Sequence, residues 1–246
     1  MAAELRNGEN RLDAFPEGEA GDPRHSFLWS YRQLSPGAAR MFRLFSVPLA
    51  DHVSAEACAA LAGKPPVVAR DQLAELTEAA LVIEDDQERF TAHVLVRAYA
   101  AELFRALDPA SERQEAISRM LQYYLYSSLS ARAALGPDEP APVLPPPLPG
   151  VMPERPRTPD EARHWFATEH RILREATRWS ADLGYGIEPW HLAVAAEPYL
   201  RMRGCLHDWE DVTRTALAAA RGRGDRAGEA RMLRALADVR SASGGR

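Results

Sequence analysis

Residues 81–104, LVIEDDQERFTAHVLVRAYAAELF, decide how the first half of this chain is read. Leu81-Val82-Ile83 and Arg89-Phe90-Thr91-Ala92 are short β-prone runs on either side of a polar turn, Glu84-Asp85-Asp86-Gln87-Glu88, and this pattern predicts a hairpin. From His93 onward the period changes to that of a helix, through Leu95, Val96, Tyr99, Ala100, Leu103 and Phe104.

Upstream, three short helices are predicted. Ser35-Pro36 supplies an N-cap and a proline for the first helical position, and Ala39, Phe42, Leu44 and Phe45 give about three turns before Val47-Pro48. Ser54 opens a second helix over 55–61 that stops at Gly63. A third follows Pro65-Pro66, with Val68, Leu73, Leu76 and Ala80 on its apolar side and Asp71, Glu75 and Glu78 elsewhere. Three helices, a hairpin and a further helix form the order of a winged-helix domain, spanning 26–107. Residues 1–25 read as a polar, acidic leader with a short helix around Leu5 to Ala14.

Downstream, Asp108-Pro109 starts a helix that presents Ile117, Met120, Leu121, Tyr124, Leu125 and Leu129 and runs to about Leu135, so 108–136 is a helical spacer. Ten prolines between Pro137 and Pro159 then break all regular structure. The 137–159 linker is stiff and extended, a spacer or, in its PxxP content, a ligand for an aromatic groove. Thr158-Pro159-Asp160-Glu161 is a capping box that restarts helix, with Trp165, Phe166, Ile172, Leu173, Ala176 and Trp179 on the core face. Helices follow at about 188–203, 207–221 and 225–241, punctuated by Gly184-Tyr185-Gly186, Gly204 and Gly222 to Gly224. The fold class is therefore mainly α: a winged-helix domain followed by a TPR-like antiparallel helix array over 160–246 that ends short of three repeats.

Lys+Arg 30 against Asp+Glu 35 leaves no overall field to concentrate the chain on nucleic acid or an anionic membrane. Lys64 is the only lysine, a bias of the kind that high-GC bacterial codon usage produces. Cys58 and Cys205 stand alone, so neither a disulfide framework nor a metal site is indicated. No secretory leader and no run of about 18 apolar residues is present, and the cytoplasm is the consistent address. Motifs for phosphate cradles, nucleophile elbows and zinc proteases are missing, which points away from an enzyme and from any cofactor of its own. His93, where the hairpin meets its helix, either closes the helix N-terminus or donates to a phosphate or carboxylate.

Arg11-Leu12-Asp13-Ala14, the stretch SFLWSYRQLSPGAARMFR at 26–43, and Ala92-His93-Val94-Leu95-Val96-Arg97-Ala98-Tyr99-Ala100 together resemble the segment after the ATPase core in NB-ARC-type STAND regulators of actinobacteria, which include SARP-type transcriptional activators. Trp179, Trp209 and Gly224-Asp225-Arg226-Ala227-Gly228-Glu229-Ala230 continue the likeness into the start of a TPR array. The resemblance implies a winged helix that folds over a nucleotide-binding core and TPR repeats that receive a signal. Walker motifs belong N-terminal to this segment in the family, so ATP or ADP would bind a separate core. His93 matches the family histidine that approaches bound ADP phosphates, as a nucleotide sensor when that core is supplied. Val94 stands where relatives carry Asp, and valine neither caps the helix nor favours its dipole, which weakens the implied latch.

These readings predict a regulatory module that binds a protein partner or the missing ATPase core. Exposed Met232, Leu233 and Leu236 on the last helix are expected to mediate self-association or partner binding. The alternatives are DNA binding through the helix at 66–80, disfavoured by its carboxylates beside Lys64 and Arg70, and a remnant with no independent role.

Overall fold

A computed structural model describes residues 23–47, 52–136, 142–183 and 188–244. These residues are mainly helical, with ten helices and one small three-stranded sheet. The expected leader helix near Leu5 to Ala14, Pro48 and the Gly184-Tyr185-Gly186 punctuation lie outside them. The chain divides into two units, Met1–Met120 with Leu148–Met152, and Leu121–Pro147 with Pro153–Arg246.

The first unit contains α1 (Pro23–Gln33), α2 (Pro36–Leu44), β1 (Val53–Ser54), α3 (Ala55–Ala62), α4 (Pro66–Glu78), β2 (Ile83–Glu84), β3 (Arg89–Thr91), α5 (Val94–Leu107) and the start of α6 (Ala110–Leu135). Its helix starts follow their caps. Ser35 Oγ accepts from Ala38 N and Ser54 Oγ from Ala57 N, each satisfying a donor the first turn leaves unpaired. Phe42, Leu44, Leu73, Leu76, Phe90, Val96, Tyr99 and Phe104 are buried, and Phe27, Tyr31, Phe42 and Tyr99 lie ring against ring.

The predicted hairpin forms, with Ile83 opposite Thr91 and Glu84 opposite Phe90. Asp85 organises its turn: Oδ1 accepts from the backbone N–H of Gln87 and Arg89, both at 2.9 Å. Several details differ from the sequence reading, and α1 is itself a helix that it did not include, starting within the stretch read as leader. Ala80 is an exposed turn residue at φ 54 and not part of the α4 core face. Leu81 and Val82 are buried but donate their N–H groups to Leu76 O, so they close the helix and the strand begins only at Ile83. A third strand, β1, pairs with β3 through Val53 and Phe90. It is two residues long and runs straight into the Ser54 cap, too short for alternation to register in the sequence.

The stretch read as a helical spacer is a core helix. Ala116, Arg119 and Met120 are buried in the first unit, and Leu121, Tyr123, Tyr124, Leu125, Ser127, Ser128, Ala131 and Arg132 in the second. From Ala116 to Leu135 most positions are small or apolar, which permits burial on more than one side of the helix. Arg119 donates from Nε to Ala60 O and from Nη2 to Leu61 O, both at 3.2 Å, adding to the Gly63 N–H on Ala60 O in the last turn of α3.

The second unit holds the rest of α6, then α7 (Pro159–Leu183), α8 (Pro189–Arg203), α9 (Leu206–Arg223) and α10 (Arg226–Gly244). Thr158 Oγ1 accepts from Glu161 N, and the Glu161 carboxylate reaches back to Arg157 N, one residue before the cap itself. Every predicted core residue of α7 is buried, and Phe166 stacks on Tyr199 at 5.1 Å. Arg174 and Arg178 meet Asp208 and Asp211, so α7 and α9 run parallel. Trp190 and Glu197 meet Asp225 and Arg231, so α8 and α10 also run parallel, and consecutive helices are antiparallel. Gly204 and Gly224, at φ 68 and 69, end α8 and α9; Gly222 stays inside α9.

The proline-rich segment that the structure describes, 142–157, has neither helix nor strand. It is fastened: within the second unit Ser127 Oγ accepts from Glu154 N at 3.0 Å, and the Glu154 carboxylate accepts from Trp165 Nε1 at 3.1 Å and from the Tyr123 hydroxyl.

Candidate functional site

His93 is exposed at the N-cap of α5, two residues past the end of β3. Its Nδ1 accepts from Leu95 N at 3.3 Å, which leaves the ring proton on Nε2 as the side chain's donor. The cap role is the one the structure shows, and it occupies Nδ1. Val94 follows, 41% exposed, and supplies no cap bond.

The surface of α4 and the hairpin turn is acidic. Asp71, Glu78, Glu84, Asp86 and Glu88 are exposed. Glu75, expected among the exposed positions, is instead half-buried: Ser35 N donates to one carboxylate oxygen at 2.5 Å and Ser35 Oγ to the other at 2.7 Å. Arg70, the cation of α4, is held by Glu56 at 2.9 Å and Glu88 at 3.6 Å. Asp85 sits below its ordinary carboxylate value; desolvation, the largest single influence, raises it, but the N–H groups of Arg89 and Gln87 and the His52 ring together outweigh that. Cys58 is fully buried, and burial pushes its thiol up to about 12, so it is inert as a nucleophile.

The last helix corrects the sequence expectation. Met232 is 1% exposed and Leu236 9%, because both face inward where α10 packs on α9, and only Leu233 stays open at 45%. The outer face of α10 carries Ala230, Arg234, Ala237 and Ser241. The structure does not bring Met232, Leu233 and Leu236 together as one surface. Exposed large apolar side chains gather instead on the first unit: Trp29 at 71%, Val67 at 66% and Ile83 at 60%, with Val94 and Leu107 also open. Trp29 went unmarked in the sequence, although a signal was present. Phe27 and Tyr31, four residues apart, define the inward face of α1, and Trp29 falls opposite.

The GDRAGEA segment earns its glycines and its aspartate structurally. Asp225 Oδ1 accepts from Gly228 N while Oδ2 accepts from the Trp190 indole at 2.7 Å. A Cβ on Gly228 would lie 2.4 Å from Trp190 Cδ1. Trp179 and Trp209 are both buried. Inside α8, Pro198 has no N–H for the carbonyl of Val194, and the buried Arg132 donates Nη1 to that carbonyl at 2.8 Å.

Among the described residues, no group of three or more His, Cys, Asp and Glu is placed to hold a metal ion, and no helix is long and apolar enough to cross a membrane. Compared with protein-family models, curated proteins and solved structures, the chain matches none.

Proposed function

We propose that this chain is a non-catalytic regulatory interaction module, a winged-helix unit followed by a TPR-like helical unit, of the kind that follows the ATPase core in NB-ARC-type STAND regulators. The order α1 to α5 around a three-stranded sheet supports the first half of this reading, and the alternating direction of α7 to α10 supports the second.

The observation that carries the function is the surface of α4 and its hairpin: exposed carboxylates beside exposed Val67 and Ile83, with Arg70 already ion-paired. Phosphates would be repelled there, whereas a protein partner gains from covering the apolar side chains. The module acts in the cytoplasm, and His93, through Nε2, is the group offered to phosphates of a nucleotide held on a separate core.

Calorimetric titration of the chain into an ADP-loaded NB-ARC ATPase core that lacks its own winged helix tests this. The expected result is binding that requires nucleotide and weakens at least about tenfold in His93→Ala. Absence of binding, together with steeply salt-dependent binding to duplex DNA, would overturn it in favour of a DNA-binding winged helix.

A further inference from the structure

We infer that the first unit associates head to tail with further copies of this chain, the Trp29 face of α1 on one copy docking against the acidic α4 and hairpin surface on the next. This goes beyond the proposed function by committing the α4 and hairpin surface, given there to a protein partner, to a second copy of the chain; a separate core would compete with that copy for it.

Two surfaces of the same unit are complementary. The outward face of α1 presents His25, Ser26, Trp29, Arg32 and Gln33, and the helix contains no acidic residue. Trp29 stands 71% exposed at its centre while Phe27 and Tyr31 turn inward. An indole this open is costly to leave in water and is the side-chain type that most often anchors a protein interface. The second surface, on α4 and the hairpin, offers Asp71, Glu78 and Glu84 together with Val67 and Ile83, 66% and 60% exposed. On the α1 face the charge is that of Arg32; on the α4 and hairpin surface Arg70 is matched by Glu56 and Glu88, which leaves Asp71, Glu78 and Glu84 in excess, so the net signs are opposite.

The surfaces belong to elements packed on different neighbours, α1 on α5 and α4 on α2 and α3, so occupying one leaves the other open. A contact between two different patches is heterologous, and copies joined this way extend as a chain. Charge steers and registers the docking, while the indole supplies most of the affinity.

Light scattering behind size exclusion, across a range of protein concentration and salt, tests the inference on the full chain of 27.2 kDa. The expected mass rises with concentration and falls with salt. Trp29→Ala, and separately Arg32→Glu, are expected to raise the concentration of half-association by about tenfold or more, as is the Asp71→Lys/Glu78→Lys pair. All four positions are exposed, so no substitution removes a buried side chain, and an unchanged helical circular-dichroism spectrum is the check that each variant folds. Decisive is the mixture of Trp29→Ala with Asp71→Lys/Glu78→Lys. Each retains the surface the other has lost, so the mixture forms a capped dimer of twice the monomer mass while either variant alone stays monomeric. A wild-type chain that is monomeric throughout, association that survives both sets of substitutions, or a mixture that does not dimerise would each overturn the inference.

Discussion

The two units solve the same problem by different means. The first builds its core from short capped helices around a three-stranded sheet and leaves Trp29, Val67, Ile83, Val94 and Leu107 in solvent. The second stacks longer helices, turns its aromatic residues inward, and stitches neighbours together at their rims through pairs such as Arg174–Asp208, Arg178–Asp211 and Arg231–Glu197. Among its described residues only Val143, Met202 and Leu233 remain as large exposed apolar side chains. Exposed apolar side chains therefore concentrate on the small mixed unit, whereas the described part of the helical array covers most of its own.

The largest expected effect separates the units energetically. Asp108 accepts from Arg43 Nε at 2.5 Å in the first unit, and both side chains are largely buried. Asp108→Ala removes the carboxylate partner of the guanidinium, leaving it the Tyr31 hydroxyl, and is expected to cost about 3 kcal/mol. Hydrogen exchange read unit by unit would show α2 and α5 losing protection while α8 and α9 keep theirs; equal loss in both units would show that they do not unfold separately.

The reverse experiment is Gly228→Ala. Its Cβ would meet both Trp190 and the Asp225 carboxylate, at 2.4 and 2.5 Å, and overpacking of this kind costs about 2 kcal/mol. Protection should fall in α8 to α10 alone, and the indole–carboxylate bond should be lost from the tryptophan emission spectrum.

A third test sharpens the account of how α8 tolerates a proline. Arg132→Met removes the donor to Val194 O, but in a Pro198→Ala background the restored Ala N–H replaces it. Denaturation of the four proteins should give a coupling of about 1 kcal/mol, the size of one buried hydrogen bond. Additive effects would sink the pairing of Arg132 with the proline break.

The smallest effect is on pH dependence. Burial pushes the His191 imidazole below its ordinary 6.5, against the pull of the Glu188 and Asp225 carboxylates. With the folded-state value depressed, the unfolded chain binds the proton first, so stability present above pH 6.5 is lost as pH falls from there towards the folded value. Melting of the second unit between pH 7.5 and 5.5 should show this decline, and His191→Gln should flatten it.

Much of this was legible along the chain because it is local. Ser35, Ser54, Gly63, Thr158, Gly204 and Gly224 end or begin helices through bonds to residues within a few positions, and the apolar period of α7 selects its buried face whatever packs there. The mainly helical class and the hairpin follow from such signals alone. Tertiary structure decided what depends on distant partners. It added β1, whose pairing with β3 joins residues far apart in sequence; it made a core helix of the stretch that reads as a spacer; and it turned Met232 and Leu236 inward. It also left Trp29 outside and tied Arg70 and Glu75 to other chain segments. Periodicity states that a helix has an apolar side, but only the arrangement of neighbouring helices determines which apolar side chains find cover and which remain to meet a partner.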